Sequence, residues 1–492
     1  MRYSLIFIVT FLIFNQASAQ SWSTPVNVSN RGINCMDPHM NVDNNGVIHA
    51  VWASTYPMPQ YPCTLILYAK SSDQGTTWSS PEILIDDTNS WIVETHIVCD
   101  SQNHLYVSYD HNVQVPEIAT VNLIIFDGVN WSEPITVSNQ PGCFKNRLVV
   151  DQTDRVYCFW DGWDSGNDNI FYRYLENGIW SDVIKPYNGN GDFYFLNNIT
   201  VDKLSNLHGV GYYSNTGNYY SNTDDVYYFY YNKSTNQWAP KEKIDNSPGR
   251  AWNGCDVSVD TMNVPHFVWG EFFPLSDSIQ NFTSYLYPNE SGWLPIDTVE
   301  KDHSAAEYRL LLDNQNIESI IVRYKNDKYE NYELVHYKKY YGYWVGEIID
   351  SISGAWFYPN IEMINNETLG LIYFKGHIFT DSVRDVYFTK YNIFTGFKPY
   401  LIPETQILIS PNPLINKTNI TYSLVSSCRV VLDIIDINGR LINRITDQTQ
   451  SPGRYCYTWQ GKSLNGKEVN SGVYFVRLQA GRCVYSRRVI KL

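Results

Sequence analysis

The sequence repeats about every fifty residues, and this period limits the fold more than any other feature. Aromatic residues mark one point of each repeat, at intervals of 49 to 58 residues: Trp22, Trp78, Trp131, Trp180, Trp238, Trp293, Trp344 and Phe397. The eight marks enclose seven units. Periods of roughly 20 to 50 residues are typical of propellers and solenoids, whose units bury their apolar faces against their neighbours.

A second pattern gives the same count of seven. In each unit an apolar strand ends at a turn residue and a second strand follows, as in His39–Asp43 before Ile48–Trp52. The turn residues are Asp43, Asp100, Asp151, Asp202, Asp260, Asp313 and, in the seventh unit, Asn365. Because this residue recurs in every unit, we interpret it as the side chain that caps a turn and not as a catalytic group.

Each unit also has a third alternating run before its closing aromatic residue. These runs are residues 65–69, 123–126, 170–174, 226–230, 282–286, 332–336 and 386–389. With the strand at the closing aromatic, each unit contains four short strands. Radially repeated four-stranded units form a β-propeller, whereas solenoid repeats are usually shorter and need terminal caps. We predict an all-β protein with a seven-bladed β-propeller over residues 20–402, in which the strand around Trp22 completes the last blade.

The composition favours β-strands, and the net charge argues against two kinds of binding partner. Aromatic residues make up 15% of the chain, and 39 of them are Tyr, which favours β-structure. The 36 Lys and Arg against 50 Asp and Glu give a net charge of -14. Such a charge repels nucleic acid and anionic membrane surfaces. We expect a monomer that binds neither of them.

The first nineteen residues predict a secretory signal peptide, with Arg2 before an apolar segment, Leu5–Phe14, and small residues at Ala17–Ala19. The mature chain would begin at Gln20. The apolar segment is shorter than the roughly 20 residues that cross a bilayer, and no later segment qualifies. The nine Cys are scattered and include no C-x-x-C pair, so we predict neither a metal site nor a cofactor.

One turn carries a known motif. Ser71, Asp73, Gly75, Thr77 and Trp78 match the Asp box, S-x-D-x-G-x-T-W. With the repeats, this motif makes residues 20 to about 402 resemble the sialidase-like, Asp-box (BNR-type) propeller superfamily. In that box Asp and Ser cap a tight turn, Gly adopts an unusual dihedral angle and Trp anchors the turn. The resemblance implies a fold and not a reaction.

The repeat ends near Ile407, where a different β-pattern begins. Its motifs are Pro411–Pro413, Asp436–Arg440, Gly453, Trp459–Gly461, Asn465–Gly466, Ser471–Phe475 and Ile490–Leu492. In this order and position they resemble the C-terminal sorting domain of type IX secretion cargo in Bacteroidetes. The resemblance implies an immunoglobulin-like β-sandwich over residues 407–492, export by the type IX machinery, and a secreted or outer-surface protein. The alternative is a generic sandwich that serves as an adhesion module.

A column of polar residues breaks the symmetry of the repeats. It lies four positions before the turn residue in the first six units and five before Asn365 in the seventh, at the beginning of the innermost strands, and reads His39, His96, Arg147, Asn198, Asp256, Arg309 and Asn360. The next residue in every unit is apolar, as expected where blades pack against each other. We predict that the column surrounds one mouth of a central channel. Residues two positions earlier, among them Asp37, Glu94 and Glu307, would add to this polar rim.

The column contains candidate bases in His39 and His96, candidate carboxylate ligands in Arg147 and Arg309, and an acid in Asp256. Loops expected on the same face carry aromatic residues suited to stacking on sugars: Tyr56, Tyr61, Trp163, Tyr219 and Tyr220. These residues favour a glycan site. The competing interpretation is a water-filled mouth that is polar for that reason alone.

Three catalytic hypotheses compete with simple binding of a glycan or surface protein. A sialidase would need three arginines, a Tyr–Glu pair and an Asp acid, and no Arg-Ile-Pro signature is visible. A uronate polysaccharide lyase would need a His or Tyr base and an Arg on the carboxylate, for which His39 or His96 with Arg147 are candidates. A zinc site of His39, His96 and Glu94 has no ligand spacing to support it. The sequence favours a secreted binding protein, with a polysaccharide-active enzyme as the alternative.

Overall fold

The computed structural model describes residues 22–492 except 31–33, 56–62, 89, 115–116, 139–141, 165–166, 188–192, 215–224, 246–249, 275–278, 290–291, 294–295, 302–303, 327–330, 341–342, 354–356, 377–383, 394–406, 425–427, 438, 451–452 and 481–482. The predicted signal peptide lies outside these residues. The chain divides into two compact units, Met1–Ile393 and Phe394–Leu492. The described residues contain strands and no helix, which confirms the all-β prediction.

The first unit begins with a short strand, β1 (Val26–Asn27), which belongs to the last sheet of the unit. Sheets 1 to 3 then follow in chain order, each formed by four consecutive antiparallel strands. Sheet 1 contains β2 (Cys35–Val42), β3 (Ile48–Ser54), β4 (Leu65–Ser71) and β5 (Glu82–Asp86). Sheet 2 contains β6 (Ser90–Cys99), β7 (Leu105–Gln114), β8 (Glu117–Phe126) and β9 (Ile135–Thr136). Sheet 3 contains β10 (Phe144–Val150), β11 (Val156–Asp164), β12 (Asn167–Glu176) and β13 (Ile179–Trp180).

Sheets 4 and 5 add small elements to the same plan. Sheet 4 contains β14 (Phe193–Val201), β15 (Leu207–Ser214), β16 (Asp225–Asn232), β17 (Gln237–Trp238) and β18 (Glu242–Lys243). Sheet 5 contains β19 (Arg250–Val259), β20 (Pro265–Pro274), β21 (Ile279–Leu286) and β24 (Asp297–Lys301). Between its last two strands lies a two-stranded ribbon of β22 (Pro288–Asn289) and β23 (Gly292–Trp293).

Sheets 6 and 7 end the first unit. Sheet 6 contains β25 (Ser304–Leu312), β26 (Glu318–Asn326), β27 (Asn331–Tyr340) and β28 (Tyr343–Ser353). Sheet 7 contains β29 (Pro359–Asn365), β30 (Thr368–Lys375) and β31 (Asp385–Asn392), with β1 as its outer strand. Val26 lies opposite Phe388, and Trp22 bridges to Tyr391. The prediction that the segment around Trp22 completes the last repeat is confirmed.

The first strands of consecutive sheets lie side by side. β2 contacts β6, β6 contacts β10, and the series continues through β14, β19 and β25 to β29, which contacts β2 again. The second strands are buried on both faces, and all seven residues of β3 are buried. Strands covered on both faces form nearly continuous apolar runs, and their largest side chains, such as Trp52, Trp160 and Trp269, are fully buried between sheets.

The turn residues act as predicted. Oδ1 of Asp43 accepts hydrogen bonds from the N–H groups of Asn45 and Val47 at 2.9 and 2.8 Å, and Asp100, Asp151, Asp202, Asp260 and Asp313 make the same pair of bonds. Oδ1 of Asn365 accepts one such bond, from Glu367. The structural interpretation of this column is confirmed.

Each turn is also joined to the next sheet. The N–H of Asn44, one residue after Asp43, donates to Oδ1 of Asn103 in the following turn at 3.0 Å. The same bond links Ser101 to Asp154, Gln152 to Ser205, Lys203 to Asn263 and Thr261 to Asn316. All five acceptor residues have φ between 61° and 66°. Asn, Asp and Ser are short polar residues, and Asn and Asp tolerate this left-handed conformation better than most non-glycine residues.

The turn after β4 joins sheet 1 to sheet 7. Asp73 accepts from the N–H and hydroxyl of Thr77 at 2.8 and 2.6 Å, and these bonds lower the pKa of Asp73 to about 2. Gly75 has φ +77°, and a Cβ there would lie 1.9 Å from the Phe388 ring. Trp78 packs edge-on against the same ring at 5.3 Å. These side chains therefore form a folding element.

The second unit contains two sheets of its own. Its strands are β32 (Leu408–Ser410), β33 (Thr418–Leu424), β34 (Cys428–Ile435), β35 (Leu441–Gln450), β36 (Gly453–Trp459), β37 (Gly472–Ala480) and β38 (Cys483–Lys491). One sheet has the order β32-β33-β36 and the other β35-β34-β37-β38. Ile420 and Trp459 of the first sheet share a core with Leu432, Val476 and Leu478 of the second. The unit is a two-layer β-sandwich.

Candidate functional site

All seven residues of the predicted polar column line one cavity of about 360 Å³ among the first strands of the sheets. Each sheet contributes one of them, in chain order His39, His96, Arg147, Asn198, Asp256, Arg309 and Asn360. The following residue in each strand, Met40 in sheet 1 and Ile97 in sheet 2, is buried between sheets. The alternation of side chains along a strand therefore places the polar column on the cavity.

A β-bulge precedes the column residue in most sheets. The pairing of first and second strands shifts register between Met36 and His39, and comparable shifts occur in sheets 2 to 6. Asp37, Glu94, Lys145 and Glu307 have φ between 47° and 58°, and Gly254 has φ 117°. A bulge bends its strand and redirects the next side chain. The sequence predicted regular strands here, and Gly254 was its one visible sign of a bulge.

The rings of the two histidines are in contact, with centroids 4.3 Å apart and planes tilted by 42°. Nδ1 of His39 accepts the N–H of Ile97 at 3.4 Å, and Nε2 of His96 accepts a guanidinium N–H of Arg147 at 3.2 Å. Burial lowers the pKa of His39 to about 3, with Arg309 and Arg147 adding to the effect. Burial, followed by the charges of His39 and Arg147, lowers the pKa of His96 as well. Both rings are therefore neutral.

The two arginines differ in how many of their donors are engaged. Arg147 donates from Nε to the carbonyl oxygen of Asn197 at 2.7 Å, and Nη1 contacts Glu94 at 3.4 Å. Arg309 donates from Nη1 to the carbonyl oxygen of Tyr308 at 2.7 Å. Within the described part of the chain, Nη2 of both residues and Nε of Arg309 have no hydrogen-bond partner.

Asp256 is engaged on both oxygens. Asn198 and the N–H of Val257 donate to Oδ1, and the N–H of Leu310 donates to Oδ2 at 2.7 Å. Asn360 accepts the N–H of Met40 on Oδ1 at 2.9 Å, which leaves its amide N–H₂ toward the cavity side of the strand. Asp256 thus joins sheets 4, 5 and 6, and sequence reasoning had not assigned it this role.

Two acids of the cavity wall hold protons near neutral pH. Burial and the charge of Glu94 raise the pKa of Asp37 to about 7. Burial and then the charge of Asp256 raise the pKa of Glu362 to about 8. Sequence reasoning missed Glu362, although it is the one ionisable residue of the column two positions after the polar one: Asn41, Val98, Val149, Thr200, Ser258, Leu311 and Glu362.

Other predicted features of the site are not supported or lie outside the described residues. No group of three or more His, Cys, Asp or Glu side chains in the described ranges is placed to hold a metal, so the zinc hypothesis has no support. The predicted stacking residues Tyr56, Tyr61, Tyr219 and Tyr220, and the Trp163 side chain, lie outside what the structure describes. No helix of the described chain is long and apolar enough to cross a membrane.

Comparison with known proteins identifies part of the second unit. The family model of the FlgD Ig-like domain matches residues 416–482. These residues contain β33 to β37, so the FlgD Ig-like domain accounts for much of the sandwich. The second unit is an Ig-like domain. A search of curated proteins finds no match for the chain.

Solved structures resemble the chain at low sequence identity. Polysaccharide lyase Uly1 is 7% identical, with a TM-score of 0.48, 78% of this chain and 94% of that one covered. The leech intramolecular trans-sialidase is 13% identical, with a TM-score of 0.41 and coverages of 73% and 68%. An α-L-arabinanase of Penicillium chrysogenum, complexed with arabinobiose, is 12% identical, with a TM-score of 0.42 and coverages of 76% and 99%. All three TM-scores lie below 0.5, so these similarities carry no weight for the activity of this chain.

Proposed function

We propose that the first unit is a seven-bladed β-propeller whose central cavity binds an acidic sugar residue of a glycan. Seven sheets in chain order, with β29 beside β2, support the blade count. The function rests on one observation: the side chains that break the symmetry of the repeats meet at one cavity of about 360 Å³. A cavity of this volume accommodates a small ligand.

The hydrogen-bonding capacity left in the cavity determines the ligand chemistry that we propose. The lone pairs of His39 Nδ1, His96 Nε2 and Asn360 Oδ1 already accept hydrogen bonds. The donors that remain are the single N–H of each neutral imidazole, the Asn360 amide N–H₂ and the guanidinium N–H groups of Arg147 and Arg309 that make no described bond. A ligand rich in acceptors and bearing a carboxylate satisfies such donors, and a uronic or sialic acid has this chemistry.

The test compares two ligands that differ in one group. Oligogalacturonate and a galactose oligomer of equal length are titrated into the mature chain by calorimetry, and sialyllactose is compared with lactose. We expect binding of one or both acidic ligands at concentrations where the neutral ones give no heat. Equal binding of neutral and acidic ligands would contradict the carboxylate site, and no binding by any ligand would contradict the glycan function.

Cleavage of the same glycan is a second candidate function, favoured by Asp37 and Glu362. A carboxylic acid that keeps its proton near neutral pH at a cavity wall can protonate a leaving oxygen as a general acid. The histidine-based lyase hypothesis has less support, because a base needs a free lone pair and that of His96 accepts from Arg147. The assay follows new reducing ends, free sialic acid and the absorbance of unsaturated products, with Glu362→Gln and Asp37→Asn as variants.

We also propose that the chain is exported, through residues 1–19 and a type IX sorting signal in residues 407–492. The ordered motifs after Ile407 support this proposal, and the Ig-like family match fits the sandwich that such signals form. Deleting residues 407–492 should leave a folded propeller in the periplasm. If the truncated chain reaches the medium as the full chain does, the sorting role is wrong.

A further inference from the structure

Residues 1–406 and residues 407–492 carry net charges of opposite sign. Residues 407–492 contain twelve Lys and Arg against four Asp and Glu, whereas the whole chain has 36 against 50. The second unit therefore has a net charge of +8 and residues 1–406 a net charge of -22. A large charge of one sign attracts ligands of the other sign. The net charge of the second unit therefore favours binding of a polyanion.

The positive charge of the second unit is concentrated on one sheet face. Asp433 lies opposite Arg444 on one side and Arg477 on the other, so these three side chains share the outer face of the sheet β35-β34-β37-β38. Arg429, four residues before Asp433, lies on the same face, and Arg488 of β38 joins them opposite Phe475. The intervening residues, such as Leu432 and Val476, are buried in the core. We name Arg429, Arg444, Arg477 and Arg488 the arginine face.

Two aspartates fix the guanidinium groups of this face. Asp433 accepts from Nε and Nη2 of Arg444 at 2.9 and 3.3 Å and from Nη2 of Arg477 at 2.7 Å. Asp447 accepts from Nε of Arg429 at 3.0 Å and from Nη1 of Arg444 at 3.2 Å. The Asp433 side chain is 1% exposed, whereas those of Arg429, Arg444 and Arg477 are 73%, 41% and 39% exposed. The carboxylates lie below and the guanidinium groups remain accessible above them.

We infer that the arginine face binds an acidic polysaccharide. Four arginines against two aspartates leave the face positive. All three nitrogens of Arg444 are engaged by Asp433 and Asp447, so the guanidinium N–H groups that these aspartates leave unused on Arg429, Arg477 and Arg488 take the carboxylate or sulfate groups. Adjacent strands lie about 4.8 Å apart, so the fixed groups form a row across β35, β34 and β37. A polysaccharide with regularly spaced anionic groups binds more tightly to such a fixed row, whereas the binding of a fluid lipid surface depends mainly on net charge.

The experiment measures binding of the mature full-length chain to polygalacturonate and dextran sulfate, with neutral dextran and phosphatidylglycerol vesicles as further probes. We expect salt-dependent binding to one or both acidic polymers and none to dextran or to vesicles. The double variant Arg444→Gln/Arg477→Gln should weaken binding at least tenfold. The matched control Lys462→Gln/Lys467→Gln removes the same charge from exposed turn positions and should change binding less than twofold. Equal losses in the two double variants, or equal binding to vesicles, would overturn the inference.

A further variant separates fixed geometry from net charge. Asp433→Asn makes the face more positive but replaces one of the two oxygens that orient Arg444 and Arg477 with an N–H₂ group, which cannot accept their N–H groups, so we expect weaker binding, by threefold or more. Tighter binding would show that charge alone acts and would overturn the proposed role of the row. Polymer binding should persist in Arg147→Ala/Arg309→Ala, because the cavity of the first unit is a separate site. If the variant Arg147→Ala/Arg309→Ala lost polymer binding, the cavity and not the arginine face would be the site that binds the polymer. Thermal melts confirm that each variant is folded.

Discussion

The guanidinium of Arg147 donates to Nε2 of His96 at 3.2 Å, and this contact determines which nitrogen of His96 carries the proton. A guanidinium cannot accept a hydrogen bond, so His96 must present its lone pair to Arg147 and carry its proton on Nδ1. Protonating His96 would put two cations in contact. The pair therefore acts as a fixed donor to the cavity, and the ring is not available as a base.

Replacing Arg309 by Ala should weaken binding of an acidic sugar by roughly 10- to 150-fold, because a charge-assisted hydrogen bond contributes about 1.5 to 3 kcal/mol. Arg309 makes one described hydrogen bond, to the Tyr308 carbonyl, so thermal stability should change little. The matched control is Lys70→Ala, which removes an equal charge from an exposed position of sheet 1. Calorimetric titration measures both variants. If the affinity of Arg309→Ala were unchanged, the cavity would be a water-filled polar mouth and not the binding site of the acidic sugar.

Binding of an acidic sugar should weaken as the pH rises from about 6 to 8. Burial and Glu94 raise the pKa of Asp37 to about 7, so over this interval Asp37 loses its proton and adds a negative charge to the cavity wall. The histidines do not contribute, since the pKa of His39 is about 3. Glu362, whose pKa is about 8, adds a second titration at the upper end of this interval. Asp37→Asn should remove the part of the pH dependence centred near 7 and leave the part near 8, whereas Asp86→Asn, at an exposed position, should change neither. A profile unaltered by Asp37→Asn would assign the titration to another group.

Replacing the turn residue Asp151 by Ala should lower the free energy of unfolding by about 3 to 5 kcal/mol, because it leaves a cation without its buried partner. Oδ2 of Asp151 accepts from Nζ of Lys233 at 2.5 Å and from the hydroxyl of Tyr157 at 3.2 Å, in addition to the turn bonds on Oδ1. Asp313→Ala is the comparison, because Oδ1 of Asp313 accepts the pair of turn bonds from Gln315 and Ile317. We expect the smaller loss there, about 1 to 2 kcal/mol.

Denaturant unfolding of the two variants measures these differences, and sugar affinity should be unchanged in both because neither residue lines the cavity. Equal losses in Asp151→Ala and Asp313→Ala would show that the contact with Lys233 contributes nothing.

Acid should destabilise the first unit through its buried histidines. Burial lowers the pKa of His266 to about 4, against 6.5 in the unfolded chain, so the unfolded state binds the proton more tightly. The stability that neutral His266 contributes is complete above pH 6.5 and is lost as the pH falls toward 4. The difference corresponds to on the order of 3 kcal/mol. His266→Gln should reduce the slope of unfolding free energy against pH in this window, and an identical slope would contradict the assignment.

The sequence was sufficient to predict the polar column but not what each side chain does. A period of about fifty residues aligns positions that are far apart in the chain, so His39 and Arg309 could be placed on one cavity without coordinates. The bulges were not predictable, because Asp37, Glu94 and Glu307 adopt left-handed φ without being glycine. Hydrogen-bond partners could not be predicted either. Asp256 accepts hydrogen bonds from Leu310 and Asn198, and the spacing of these residues in the sequence does not indicate such bonds.

The bonds that link each turn to the next sheet give the first unit a preferred place to open. The series runs from Asn44 in sheet 1 to Asn316 in sheet 6, and the amide of Asn314 continues it to Asn366 in sheet 7. The position in sheet 1 that corresponds to Asn103 is Gly46, which has no side chain to accept such a bond. Sheet 7 is joined to sheet 1 instead by the turn at Gly75, which packs on Phe388, and by the hydrogen bond from the N–H of Met40 to Oδ1 of Asn360. β1 is the outer strand of sheet 7. We therefore expect mechanical force or denaturant to separate sheet 7 from sheet 1 first, and a covalent bond between β1 and β31 to slow the unfolding of the first unit.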